Sequence, residues 1–116
     1  MSGVAIRSAG VPSVIGKYAP RSANVVPEGF AKVCIQQRWD VQGTWQRLCD
    51  FRKPWFEAEN GAYIYFNKGD GQWWVDEADG TGVYVSRRDT PLPPADGWEP
   101  LGSSPMPVPN VLLCSE

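Results

Sequence analysis

Three short segments rich in aromatic and β-branched residues, joined by two glycine turns, restrict this chain more than anything else in it. They are Ala62-Tyr63-Ile64-Tyr65-Phe66, Gln72-Trp73-Trp74-Val75-Asp76 and Gly82-Val83-Tyr84-Val85-Ser86. Residues of this kind suit a pleated, half-buried surface. Gly69-Asp70 supplies a two-residue turn between the first pair. Glu77-Ala78-Asp79-Gly80-Thr81 supplies a type I turn closed by a left-handed glycine between the second pair. The expectation is a three-stranded antiparallel meander. In the register these turns imply, Ile64, Phe66, Trp73, Val75, Val83 and Val85 share one face, and Tyr63, Tyr65, Trp74 and Tyr84 share the other.

Upstream, residues 30–51 read as a β-hairpin about Asp40-Val41-Gln42-Gly43-Thr44. This turn pairs Trp39 with Trp45 and Ile35 with Cys49, and gathers Val33, Ile35, Trp39, Trp45, Cys49 and Phe51 on one face. A two-residue turn instead sets Cys34 opposite Cys49, within reach of a disulfide, but sorts the apolar residues less well. The first register, with free thiols, is preferred. Trp55 and Phe56 then plug the open end of a core from within a loop.

Pro12, Pro20 and Pro27 interrupt the first 29 residues, which read as extended coil. Seven prolines fall between residues 87 and 110 (Pro91, Pro93, Pro94, Pro100, Pro105, Pro107 and Pro109), a spacing that suits polyproline II and turns. The last apolar run, Val111-Leu112-Leu113-Cys114, suits an edge strand or a docking segment. The expected fold is therefore all-β: a small antiparallel sheet, one hairpin plus a meander, with Pro/Gly-rich arms at both ends. The divisions are an extended basic arm (1–29), an antiparallel β domain (30–88) and a Pro-rich arm (89–116) that packs on the domain or on a partner.

Charge and residue type narrow the chemistry. The first arm holds Arg7, Lys17 and Arg21 against Glu28; the remainder holds 8 bases and 12 acids. An acidic body argues against nucleic acid, whose phosphates require clustered bases. Histidine is absent, which removes the commonest general base and metal ligand. Cys34, Cys49 and Cys114 match no zinc spacing, and an odd number fits a reducing intracellular compartment, an organelle included. The tail composition suits a transit peptide and an ordinary tail equally. No apolar run spans a membrane, which leaves peripheral attachment to a membrane complex open. Asp76, Glu77 and Asp79 sit at a tight turn, where acids usually form turns rather than act on substrates. No catalytic residue, metal ligand or cofactor is expected.

The tyrosine face admits three occupants: the chain's own Pro93-Pro94 or Pro105-Met106-Pro107, a protein partner, or a small ligand such as a sugar ring. The string Asn60-Gly61, Tyr63, Tyr65, Trp73-Trp74, Tyr84, Pro93-Pro94, Gly97-Trp98 resembles the tryptophan-rich β repeats of algal and other protist proteins. That resemblance implies a small β module that packs its own proline segment; it brings no activity with it. Arms of this length around a small sheet point to a non-catalytic accessory or scaffolding subunit bound to other protein subunits. Its expected contacts are Arg7, Lys17 and Arg21 in the tail and Tyr63, Tyr65, Trp74, Tyr84 and Trp98 on the aromatic surface. The alternative is an autonomous module that binds a carbohydrate or a proline-rich peptide.

Overall fold

The computed structural model describes residues 2–114; Met1 and Ser115–Glu116, the ends of the two expected arms, lie outside the described residues. The meander forms as β4 (Tyr63–Asn67), β5 (Gln72–Asp76) and β6 (Gly82–Ser86). Ile64 lies opposite Val75 and Phe66 opposite Trp73, so the β4–β5 register is the expected one. The second turn is also the expected one. Glu77 N–H donates to Thr81 O at 2.8 Å, and Gly80 takes a φ of 93°.

The sheet is larger than a meander. Eight strands run antiparallel in the order β7-β6-β5-β4-β3-β2-β1-β8, curled into a half-barrel. The added strands are β1 (Val4–Ile6), β2 (Gly16–Arg21), β3 (Trp55–Ala58), β7 (Glu99–Pro100) and β8 (Val111–Leu113). The first 29 residues are therefore not a coil: they place two strands inside the sheet. Pro20 is tolerated because β1 pairs only with residues 16–18 of β2, which leaves the N–H side of position 20 with no ladder to break. Trp55 and Phe56, expected in a loop, belong to β3.

The hairpin over residues 30–51 is not present. In its place stand two helices, α1 (Glu28–Gln37) and α2 (Val41–Leu48). The helical period prevails because Val41, Thr44, Trp45 and Leu48 fall on one stripe, which packs on the sheet. Asp40 and Gly43, read as a β-turn, form a helix start: the Asp40 Oδ2 accepts from the Gly43 N–H at 2.7 Å. Arg38 closes α1 in the left-handed conformation (φ 61°). As a result Trp45 is buried and Trp39, its expected strand partner, is half-exposed. The three cysteines are free thiols.

Across β4–β6 both faces of the sheet are apolar, and each is packed against another layer. Ile64, Phe66, Trp73, Val75 and Tyr84 face a core closed by the Pro-rich segment and by residues 9–14. Tyr63 and Tyr65 face the two helices, through Phe30, Cys34 and Trp45. The helices are held close. A Cβ on Gly29 would lie 2.6 Å from Ala78 O and 2.7 Å from Gly80 N, so α1 rests directly on the β5–β6 turn.

Two results are expected. Limited proteolysis of the isolated chain should leave residues 4–21 intact, since cutting there removes strands from mid-sheet; rapid trimming would contradict this placement. Gly29→Ala should lower the urea midpoint more than Asp40→Ala, which removes one cap at a cost of about 1 kcal/mol.

Candidate functional site

Tyr63, Tyr65 and Trp74 share one sheet face because they occupy alternate positions of paired strands, with Tyr65 opposite Trp74. Asp76, two residues beyond Trp74, points the same way and is 4% exposed. The helices cover this face incompletely. Between them and the sheet lies a cavity of about 160 Å³. Its walls are Tyr63, Tyr65 and Trp74 from the sheet, Phe30 and Cys34 from α1, and Thr44 and Leu48 from α2. Asp76 also lines it. Its more exposed border is formed by Trp39, Val33 and Gly80. A cavity of this size accepts one benzene-sized group.

The walls are held by ring packing. Phe30 meets Trp45 edge-on at 4.9 Å between centroids and Tyr65 at 5.8 Å, and Tyr63 lies 5.9 Å from Tyr65. Trp74 is fixed by its indole N–H, which donates to Asp70 Oδ2 at 2.9 Å. Its ring lies against the Gly82 backbone, where a Cβ would come within 2.6 Å of it.

The electrostatics are unusual for a cavity so apolar. Asp76 Oδ1 and Tyr63 Oη are buried; the Tyr63 hydroxyl faces the Asp76 carboxyl, and neither oxygen has a well-formed hydrogen bond to any other group among the described residues. Asp76 joins no ion pair among the described residues. Burial pushes its carboxyl up to about 8; hydrogen bonding from the Tyr63 hydroxyl opposes the shift and the Asp79 carboxylate adds to it. Burial drives Tyr63 and Tyr65 far above the usual phenol range, with Asp76 reinforcing both. The Cys34 thiol is raised by burial, against the pull of Thr44. Wider grooves exist on the surface, such as one of about 580 Å³ beside Lys17, Glu57 and Glu59. None of the unpaired buried polar atoms lies among its lining residues.

Three of the residues singled out in the sequence, Tyr63, Tyr65 and Trp74, meet in this cavity. Tyr84 does not. A one-residue bulge, where the register shifts between Val75 and Asp76, sets Val75 opposite Tyr84 and turns the Tyr84 ring to the other face. There its hydroxyl accepts from Val11 N–H at 3.1 Å and donates to Pro105 O at 2.6 Å. Trp98 is buried in that same core, its indole N–H on Pro94 O at 2.8 Å. Arg7, Lys17 and Arg21 are exposed and lie apart from the cavity lining; Arg21 pairs with Glu57 at 2.6 Å and stacks on Trp55. Sequence reasoning misses Asp76 because it reads as a turn acid, although its spacing from Trp74 already places it on the tyrosine face.

Among the described residues no group of three or more cysteine and acidic side chains is arranged to hold a metal ion, and no helix is long and apolar enough to cross a membrane. The chain matches no family model, no curated protein and no solved structure.

The raised Asp76 makes stability depend on pH with a definite sign. Its folded-state value of about 8 lies above the ordinary carboxyl value of about 4. Its contribution is therefore whole below about pH 4 and is lost as pH rises toward about 8. Urea unfolding of the native chain and of Asp76→Asn should show a gap in favour of the variant that widens over that interval and is constant above it. Parallel curves would remove the buried acid from the account.

Proposed function

We propose that this chain is a non-catalytic binding module that takes up a ring-sized group in the cavity between its helix pair and the tyrosine face. The observation that carries this reading is the pairing of an aromatic-walled cavity with two buried oxygens, Asp76 Oδ1 and Tyr63 Oη, that have no partner beyond each other. Interiors rarely leave such groups unsatisfied without a use for them. A few convergent polar atoms in a mostly apolar pocket is also the usual form of a small-ligand site. Binding rather than turnover is favoured by the lining itself. It offers one carboxyl and two phenols whose ionisation is suppressed, and the chain has no histidine to share protons with them.

The role of accessory subunit draws its support from a different place than the arms. Ile35, near the end of α1, and Trp39, just beyond it, are large apolar side chains left exposed, and Trp39 borders the cavity. A protein partner seated on this side would cover both.

The test is a titration with benzyl alcohol, a neutral ring-sized probe, followed by methyl NMR. Saturable shifts are expected at Val33 and Leu48, and not at Val4 or Val111 in the opposite core. Trp74→Ala should weaken the binding about tenfold with the circular dichroism spectrum retained. Uniform or non-saturating shifts would end this reading.

A further inference from the structure

The chemistry of the lining goes further than its size, and the class of ligand it selects rests on the binding-module reading. The two polar groups at the cavity that lack a partner beyond each other, the Asp76 carboxyl and the Tyr63 hydroxyl, both present oxygen. No lysine, arginine, asparagine or glutamine is among the lining residues. The faces of Tyr63, Tyr65, Trp74 and Phe30 add the negative side of four ring quadrupoles. Once ionised, a carboxylate in such a place is poorly matched by another acceptor and well matched by a compact positive charge with N–H donors.

We propose that the cavity binds an organic cation, an alkylammonium or guanidinium head on a short apolar body, held by the Asp76 carboxylate and the Tyr63 oxygen and by the surrounding ring faces. The head comes either from a free small amine or from a lysine or arginine side chain of a partner.

The proton balance is set by the groups around Asp76. On its own sheet face these are Tyr63 and Tyr65 of β4; from α1 it is Cys34; from the following turn it is Asp79, which Lys32 in turn influences. None supplies a cation in contact with the Asp76 carboxyl among the described residues. Without a ligand the acid therefore keeps its proton at neutral pH. An ammonium ion entering the site replaces that proton, which passes to the buffer, and the carboxylate formed is paired by the ligand's charge. Affinity for the cation should then rise about tenfold per pH unit up to about pH 8 and level off above it.

The experiment compares benzylamine with benzyl alcohol, which share a ring and differ in the charged head. Calorimetry would be run from pH 6 to pH 9 in buffers of different ionisation heat. Benzylamine is expected to bind at least tenfold more tightly than the alcohol at pH 8.5, to lose affinity with falling pH and to release close to one proton at pH 6.5. The alcohol should bind with no pH slope. Asp76→Asn should erase both the preference and the slope while leaving the alcohol bound. Tyr63→Phe, which keeps the ring, should weaken benzylamine severalfold and serves if the first variant does not fold. Nα-acetyl-lysine amide and Nα-acetyl-arginine amide form the second arm: tighter binding than benzylamine assigns the head to a partner's side chain, and weaker binding assigns it to a free amine. Equal, pH-independent binding of amine and alcohol would overturn the cation while leaving the pocket standing. Binding of neither would overturn both.

Discussion

Where a sheet is apolar on both faces, as this one is across β4–β6, it has to be covered twice, and most of this architecture follows from that requirement. Alternation along β4 sends Tyr63 and Tyr65 one way and Ile64 and Phe66 the other, and all four are buried. One cover is a helix pair, which meets the tyrosines with Phe30 and Trp45. The other is a set of proline-containing loops, tied down at Tyr84 and Trp98 by hydrogen bonds to Pro105 O and Pro94 O. Proline loops suit this role because their backbones expose few N–H groups that would need partners. The helices suit the first because rings of this size need a deep, uneven surface to pack into. The cavity is where that second fit is incomplete.

The parts of the fold legible in the sequence are those fixed by local chemistry. The β5–β6 turn depends on Gly80 taking a positive φ, and the β4–β5 register depends on alternation over five residues, so both can be read directly. The helix pair is obscured because its apolar positions also satisfy a strand period over short stretches. The stripe Val41, Thr44, Trp45, Leu48 and the cap at Asp40 are present, but Asp40 and Gly43 are equally good turn formers. β1 cannot be found by pattern: three residues, Val4, Ala5 and Ile6, are all buried and show no alternation.

The candidate site shows the same division. Register alone places Tyr63, Tyr65 and Trp74 together. Tyr84 is lost to a bulge, a one-residue irregularity that inverts every later side chain on its strand and has no local signature here. Asp76 is visible by spacing and hidden by residue type. Phe30 and Cys34 depend on long-range packing of α1, which nothing in their immediate neighbours announces.

The β1–β8 pairing has a consequence of its own. Cys114 N–H donates to Gly3 O at 2.9 Å, and Val4 lies opposite Leu113, so the polypeptide enters and leaves the domain at neighbouring points on one edge. A unit with that arrangement can be grafted into a surface loop of another protein without being pulled open, because the host's two attachment points need stand only one strand spacing apart.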